Sequence, residues 1–228
     1  MYYLNTNQIF NKWTGGMRKH FDHYSKKAKD ENYPARSVYK LREIQNKYRI
    51  IKPGFRVLDV GCCPGSWSKL ALKELKASVV IGLDIENQLK INHPNFAFIK
   101  RDVYQITENE LLNKLKSILL ERTKTIPEDS QRKLIQFDVV ISDAAPKTTG
   151  DPFSDSQKSL ALTRRVFELS DKLLKKKGSV VAKVFQCEDL KPFTQELKSR
   201  YEEIHLFKPH SSRKESREIY IIALRKIS

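Results

Sequence analysis

The arrangement of apolar and polar positions changes near residue 35. Residues 1–35, called the basic arm below, are polar and show no apolar periodicity. After them, short apolar runs typical of buried strands alternate with segments whose apolar residues recur at helical spacing. The apolar runs predict strands at residues 55–60, 79–84, 96–100, 137–142, 180–185, 205–208 and 219–224. The helical spacing predicts helices at residues 37–48, 66–75, 107–121, 157–175 and 192–200.

This alternation predicts one α/β domain over residues 36–228, with a mostly parallel seven-stranded sheet covered by helices on both faces. Thr107 and Glu110 form a capping-box pattern at the start of the third predicted helix. The lysine run 175–177, followed by a glycine, is interpreted as the cationic carboxyl end of the fourth helix. Residues 122–136 are polar and predict an exposed loop, so the stretch 105–136 is a possible insertion.

The charge balance points to a polyanionic partner. Lys and Arg number 43 against 27 Asp and Glu, a formal net charge of +16. Such an excess is typical of proteins that bind nucleic acid or an acidic membrane surface. In the basic arm, cations alternate with aromatic rings (Arg18 and Lys19 between Trp13 and Phe21), which suits phosphate binding and base stacking. The alternative is that these rings pack on the domain.

The sequence gives weaker indications of the protein's cellular location and of metal binding than of its charged partner. No apolar run reaches the length of a membrane span, and the amino terminus lacks a secretory pattern. We therefore expect a cytoplasmic protein, with a mitochondrial location as the weaker alternative, and a monomer. The three cysteines, Cys62, Cys63 and Cys187, favour a reducing compartment. No metal site is expected, since the cysteines lack zinc-site spacing and His20 and His23 have no second ligand pair.

The loop after the first predicted strand lies where open α/β sheets bind their ligands. A dinucleotide-binding loop has glycine at its first, third and sixth positions, which here are Gly61, Cys63 and Ser66. The fingerprint fails at two of the three. Gly61 and Gly65 remain, and we expect them to let a ligand approach the backbone.

Two acidic residues follow the next strands. Asp84 ends the second strand and is placed to accept hydrogen bonds from a ribose diol, and Asp102 follows the third strand and can accept from the amine of adenine. Together with the glycine loop, they describe an adenosine-containing ligand. S-adenosylmethionine fits this pattern better than NAD.

Five ordered segments resemble the FtsJ (RlmE) family of ribose 2′-O-methyltransferases, at residues 36–41, 58–67, 142–146, 181–185 and 211–220. The resemblance extends from about residue 18 to the carboxyl end and implies a Rossmann-like S-adenosylmethionine-dependent methyltransferase fold. Members of the family more often carry alanine at the positions of Cys62 and Cys63, and glycine or alanine at that of Ser66. These replacements are all small, so the loop shape should survive.

The resemblance also implies the roles of individual residues. The family's catalytic tetrad of Lys, Asp, Lys and Glu corresponds to Lys40, Asp143, Lys183 and Glu218. Trp67 matches a position beside the cofactor, with core packing as the alternative, and Asp143 is expected to contact the cofactor as well.

The reaction so implied is a direct displacement, in which a ribose hydroxyl attacks the methyl carbon in line with the sulfonium sulfur. A lysine amine can act as base there only when its pKa falls toward neutrality, which burial and a second cation favour and neighbouring carboxylates oppose. Lys183 is the candidate base, and Lys40 the second cation. We expect much of the rate to come from holding the reacting atoms in line.

The segment 211–220 resembles the ribosomal members of the family more closely than the transfer-RNA members. The resemblance thus implies methylation of a uridine ribose in 23S-type large-subunit ribosomal RNA, with that RNA or the large ribosomal subunit as partner. The alternatives are a methyltransferase for the tRNA anticodon loop and a non-catalytic RNA-binding assembly factor. The intact tetrad disfavours the non-catalytic assembly factor.

Overall fold

The computed structural model describes residues 23–123, 135–213 and 215–228. The strands are β1 Arg56–Val60, β2 Val79–Asp84, β3 Phe96–Lys100, β4 Phe137–Ser142, β5 Leu174–Phe185, β6 Tyr201–Phe207 and β7 Glu218–Lys226. The helices are α1 His23–Asp30, α2 Val38–Tyr48, α3 Ser66–Lys73, α4 Glu108–Thr123, α5 Pro152–Leu173 and α6 Leu190–Leu197.

The strands form one seven-stranded sheet in the order β3-β2-β1-β4-β5-β7-β6. All neighbours pair in parallel except β7, which is antiparallel to both β5 and β6. The predicted mostly parallel α/β sheet is therefore confirmed. The strand order reverses between β1 and β4, and such a reversal opens a crevice at the carboxyl ends of the strands.

An apolar layer covers each face of the sheet, because side chains of successive strand residues point to opposite sides. Leu58 packs on one face with Leu111 of α4 and Phe167 of α5. Its neighbour Val57 packs on the other face, with Leu41 of α2. The sheet is thus buried on both sides, and its edges and strand ends are left to carry the polar groups of a site.

The described end of the basic arm packs on the domain. Helix α1, which the sequence did not predict, buries Ala28 in the same apolar cluster as α2, and Tyr33 joins it. The ring of Tyr24 lies 5.2 Å from that of Tyr39. Residues 1–22, which include Arg18 and Lys19, lie outside the described residues, so the RNA-binding role of the arm stays a prediction.

Helix α4 connects β3 to β4 and belongs to the core. Leu111, Leu115 and Ile118 are buried in the cluster beneath it, as the helical spacing predicted. The capping box is also confirmed, since the Glu110 carboxylate accepts from the Thr107 N–H at 2.9 Å. The helical part of the stretch 105–136 is therefore a regular crossover of the fold, and residues 124–134 of the predicted loop lie outside the described residues.

The interpretation of the lysine run 175–177 as a helix end is wrong. Helix α5 ends at Leu173, and the lysines form the start of strand β5. Lys175 forms an ion pair with Asp138 of β4, and Lys177 with Glu202 of β6. Cations suit the end of a helix, and they equally suit the start of a strand that lies near carboxylates of other strands. Asp138 and Glu202 are distant in sequence, so the local pattern could not distinguish the two.

Helix α5 also begins earlier than predicted, at Pro152 rather than at residue 157. The Asp151 carboxylate accepts a hydrogen bond from the Ser154 N–H at 2.8 Å, and proline at the first helical position needs no hydrogen-bond partner for its nitrogen. None of the helices in the described segments is both long enough and apolar enough to cross a membrane.

Candidate active site

A cavity of about 590 Å³ opens at the point where the strand order reverses. We call it the switch-point cavity. Its walls come from the carboxyl ends of β1 to β4 and from one side of α5, because parallel strands end at the same edge of the sheet. Four of the residues predicted to bind a cofactor line it, namely Gly61, Asp84, Asp102 and Asp143.

Backbone amides hold the two acidic residues at the rim of this cavity. Asp84 accepts hydrogen bonds from the N–H of Cys63 at 2.8 Å and of Glu86 at 2.9 Å. Asp102 accepts from the N–H of Tyr104 at 2.9 Å. A carboxylate has about four acceptor sites, so both side chains keep capacity for hydroxyl or amine donors of a ligand.

The structure gives a packing reason for glycine at position 61, beside the predicted approach of a ligand. Gly61 has φ of +74°, and a Cβ there would lie 2.6 Å from the Cβ and 2.7 Å from the Cα of Ala144. The space that a side chain at position 61 would need is therefore filled by the loop after β4, while the role of Gly61 toward a cofactor stays a prediction. Glycine here lets the loops after β1 and β4 approach each other at the switch point.

Gly65 and Trp67 do not line the switch-point cavity. A Cβ on Gly65 would lie 2.8 Å from Cδ1 of Ile91, so the chain after β2 covers this glycine. The Trp67 indole is 2% exposed and donates a hydrogen bond to the Ser37 carbonyl at 2.8 Å. Both residues have a packing role in this structure, and their contact with a cofactor stays a prediction.

The tetrad residues Lys40, Asp143, Lys183 and Glu218 come together beside this cavity as two ion pairs. Nζ of Lys40 lies 2.6 Å from Oε1 of Glu218, and Nζ of Lys183 lies 3.1 Å from Oδ1 of Asp143. The four side chains are only 9 to 17% exposed. Asp143 belongs to both groups, because it also lines the cavity.

The antiparallel strand explains how Glu218 reaches this edge. Strand β7 begins where β5 ends, and the register places Glu218 opposite Phe185 and Tyr220 opposite Lys183. Helix α2, packed on the neighbouring face, supplies Lys40. Residues more than 170 positions apart in the chain thus form one cluster of alternating charge.

Comparison with known proteins decides the family. The sequence profile of the FtsJ-like methyltransferases matches residues 33–226, which is most of the chain. The chain belongs to the FtsJ-like methyltransferase family. The resemblance found in the five sequence segments is confirmed.

Relatives cover nearly the whole of this FtsJ-like methyltransferase. Ribosomal RNA large subunit methyltransferase E from Brachyspira hyodysenteriae is 42% identical over 206 residues, 90% of this chain and 95% of the relative. The protein of the same name from Desulfotalea psychrophila is 41% identical over 210 residues, 91% of this chain and 96% of the relative. The crystal structure of a ribosomal RNA methyltransferase from Plasmodium falciparum superposes with a TM-score of 0.68 at 27% identity, covering 86% of this chain and 100% of that one.

Tyr220 is a member of the site that sequence reasoning missed. Its buried hydroxyl donates a hydrogen bond to Oδ1 of Asp143 at 2.7 Å, the same oxygen that faces Lys183. The signal was available, because residues two apart on a strand share a face and Tyr220 follows Glu218 by two. Cations were missed as well, since Lys147 and Lys158 line the switch-point cavity.

The charges of the site keep the carboxyl group of Asp143 ionised. Burial by itself raises the pKa of this carboxyl, but the ammonium groups of Lys183 and Lys40 and the Tyr220 hydroxyl outweigh it and lower the pKa below its ordinary value. Burial and the Asp143 charge together raise the pKa of Tyr220 well above its ordinary value. In this FtsJ-like methyltransferase, Tyr220 therefore remains a hydrogen-bond donor to an ionised Asp143.

Asp59 of β1 is a buried carboxyl whose charge interacts with residues of both the switch-point cavity and the tetrad. It is 1% exposed, and its Oδ2 accepts a hydrogen bond from the Ser68 hydroxyl at 2.5 Å. Burial, together with the charges of Asp143 and Asp84, raises its pKa to about 7, although the Ser68 hydrogen bond acts in the opposite direction. The pKa of Asp59 thus depends on a charge of the cavity, Asp84, and on a charge of the tetrad, Asp143.

Proposed function

We propose that this FtsJ-like methyltransferase transfers a methyl group from S-adenosylmethionine to a ribose 2′-hydroxyl of a uridine in 23S-type large-subunit ribosomal RNA. The observation that carries the proposal is the double position of Asp143. It lines the switch-point cavity and is also paired with Lys183 of the tetrad. A ligand in the cavity would therefore have one end beside the two lysines.

The cavity suits an adenosine-containing cofactor. Asp84 and Asp102 supply acceptors on the β2 and β3 side, where a ribose diol and an exocyclic amine would bind. Lys147 and Lys158 line the same cavity and can neutralise the carboxylate of an amino acid moiety. When bound, S-adenosylmethionine supplies an electrophilic methyl group on a sulfonium.

The tetrad residues have distinct roles in this proposal. Lys183 is held through both the carboxylate and the backbone carbonyl of Asp143, so its Nζ has a fixed position at the end of the cavity. For the transfer step, Lys183 must first release its own proton to solvent, after which the neutral amine receives the proton of the ribose hydroxyl. Lys40, held by Glu218, orients the hydroxyl oxygen from the other side. Positioning of this kind accounts for a large part of the rate in such displacements.

The proposed RNA substrate is supported by charge and by surface chemistry near the tetrad. The chain carries a net charge of +16. Arg217, next to Glu218, donates a hydrogen bond to the Pro152 carbonyl at 2.8 Å, and the adjoining Phe153 is 74% exposed. An exposed ring beside cations suits stacking on a nucleobase.

The names of the relatives favour ribosomal RNA over the tRNA anticodon loop. The paired tetrad argues against a non-catalytic assembly factor, because four nearly buried charged groups are costly to retain without a use.

Mapping of 2′-O-methyl groups on total RNA tests this function. Cells that lack the protein should lose one methylated uridine in large-subunit ribosomal RNA, and the wild-type gene should restore it while Lys183→Ala should not. Loss of a methyl group in the tRNA anticodon loop instead, or no change in either RNA, would contradict the proposal. Purified protein assayed on naked ribosomal RNA and on isolated subunits then identifies the form of the substrate.

A further inference from the structure

The two adjacent cysteines have an unusual arrangement. Side chains of neighbouring residues point to opposite sides of an extended chain, so their sulfur atoms are normally far apart. Here the turn that begins at Gly61, with φ of +74°, brings Sγ of Cys62, Sγ of Cys63 and a carboxylate oxygen of Asp84 within 4.8 Å of one another. No spacing in the sequence predicts such a group of three metal-binding atoms.

The surroundings hold these three side chains in place. Cys62 is 3% exposed, and its sulfur occupies space left by Gly82, where a Cβ would lie only 2.7 Å away. Asp84 is fixed by two backbone N–H donors, one of them from Cys63. The carbonyl oxygen of Glu86 lies 3.5 Å from Sγ of Cys63 and offers a fourth ligand atom. The group is therefore assembled within the protein and open on the side of the cavity, which Cys63 and Asp84 both line.

We propose that Cys62, Cys63 and Asp84 form a binding site for a thiophilic divalent ion, zinc or cadmium, and that its occupation excludes the cofactor from the switch-point cavity. The donor set of two sulfurs and a carboxylate is one that zinc accepts in a four-coordinate site. The exclusion rests on the proposed function, because it requires Asp84 to bind the ribose of the cofactor. Two backbone N–H groups already occupy two of the roughly four acceptor sites of Asp84, so a bound metal ion leaves one site for a ribose diol that needs two.

The binding step balances simply. Two S–H bonds break, two sulfur–metal bonds form, and two protons pass to the buffer. No oxidant or reductant is needed.

Calorimetric titration of reduced, ligand-free protein with Zn²⁺ or Cd²⁺ tests the site. We expect one equivalent to bind, with the sulfur-to-cadmium charge-transfer absorption as a second signal. Cys62→Ala and Cys63→Ala should each weaken binding by at least about tenfold, since loss of a direct ligand should cost no less than loss of a supporting contact. The matched control is Cys187→Ala, which removes the remaining, distant thiol and should leave binding unchanged. Equal affinity in the wild type and in both loop variants would overturn the proposal, and the two variants together guard against misfolding of either one.

Competition with S-adenosylhomocysteine tests the exclusion separately. At a concentration 100 times its own Kd, this ligand should weaken apparent metal affinity about 100-fold. Metal affinity that does not change under these conditions would overturn the exclusion. Titration of the same ligand in the presence of a chelator tests the cofactor site alone, so failure there contradicts the proposed function while leaving the thiol site standing.

Discussion

The switch-point cavity and the tetrad share one edge of the sheet but are built differently. In the cavity, the carboxylates of Asp84 and Asp102 are held by backbone N–H groups. In the tetrad, Asp143 and Glu218 are held by lysine side chains. The first arrangement leaves acceptors available for uncharged hydroxyl and amine groups of a ligand. The second places paired charges where, in the proposed function, a ribose hydroxyl is oriented and deprotonated.

This difference predicts different responses to substitution. Loss of a cavity carboxylate removes a ligand contact and leaves only backbone amides to find new partners. Loss of a tetrad lysine leaves a nearly buried carboxylate without its counterion, which is strongly unfavourable. Cavity variants should therefore change cofactor affinity, and tetrad variants should change the chemical step.

The largest expected effect is that of Lys183→Ala. Loss of the proposed base should lower kcat by about 10²- to 10⁴-fold, the usual range for general-base catalysis. Affinity for S-adenosylhomocysteine should change little, because Lys183 does not line the cavity. Methyl-transfer assays and calorimetry measure the two quantities. Lys172→Ala, which removes an exposed cation paired with Glu108, is the matched control. Cofactor affinity lost together with activity would show that Lys183 serves binding or folding instead.

Asp84→Asn should have the opposite signature. The amide keeps the size of the side chain but loses the charge that strengthens hydrogen bonds to a ribose diol. A hydrogen bond contributes about 1.5–3 kcal/mol with a charged partner and about 0.5–1.5 kcal/mol with a neutral one, so cofactor affinity should fall by about 1–1.5 kcal/mol, or roughly 5- to 13-fold. At saturating cofactor, kcat should remain near that of the wild type. Glu188→Gln is the control: it makes the same change of charge at an exposed position and should leave cofactor affinity unchanged. A fall in kcat without loss of affinity would break the division between the two regions.

The cavity was easier to predict from sequence than the details of the tetrad. Strands β2, β3 and β4 have the predicted bounds. For β2 and β4 the reason is that a buried strand in a parallel sheet has a continuous apolar run, and the edge strand β3 carries a shorter apolar run. Their carboxyl ends then place Asp84, Asp102 and Asp143 at one edge without further information. Gly61 was found for the same reason, although the group that it accommodates, Ala144, could be identified only in three dimensions.

Long-range contacts account for what the sequence could not provide. The hydrogen bond of Tyr220 to Asp143 joins residues 77 positions apart, so the alternation along β7 could place Tyr220 on the face of Glu218 but could not identify its partner. Trp67 follows the glycine loop directly, yet its ring turns into the core and binds the Ser37 carbonyl. Both outcomes depend on how α2, α3 and β7 pack against one another, which periodicity does not reveal.

Tyr220→Phe tests the link between the two regions through Asp143. Loss of one hydrogen bond to a charged group that keeps its lysine partner should lower kcat by about 3- to 10-fold. The hydroxyl lowers the pKa of Asp143, so its removal should raise that pKa, which NMR titration of the Asp143 carboxyl measures directly. Tyr201→Phe is the control, because that buried hydroxyl has no hydrogen-bond partner among the described residues. An unchanged pKa of Asp143 would show that this carboxylate is held by its lysines alone.

The smallest expected effect is a shift of a few degrees in Tm and concerns Asp59. Charges of both regions, Asp84 of the cavity and Asp143 of the tetrad, raise the pKa of this buried carboxyl. Its pKa is raised to about 7 in the folded protein, above its ordinary value near 4, so the folded state binds more protons than the unfolded state between these values. The contribution of Asp59 to stability is therefore complete at low pH and is lost as the pH rises toward and through 7. An amide at this position cannot titrate, so the Tm of Asp59→Asn minus the Tm of the wild type should be larger at pH 8 than at pH 5.

The exposed replacement Asp189→Asn is the control, and thermal melts should give it the same difference in Tm from the wild type at the two pH values. A difference in Tm between Asp59→Asn and the wild type that is the same at both would mean that Asp59 is already ionised in the folded protein, and that the cavity and the tetrad do not act on it jointly.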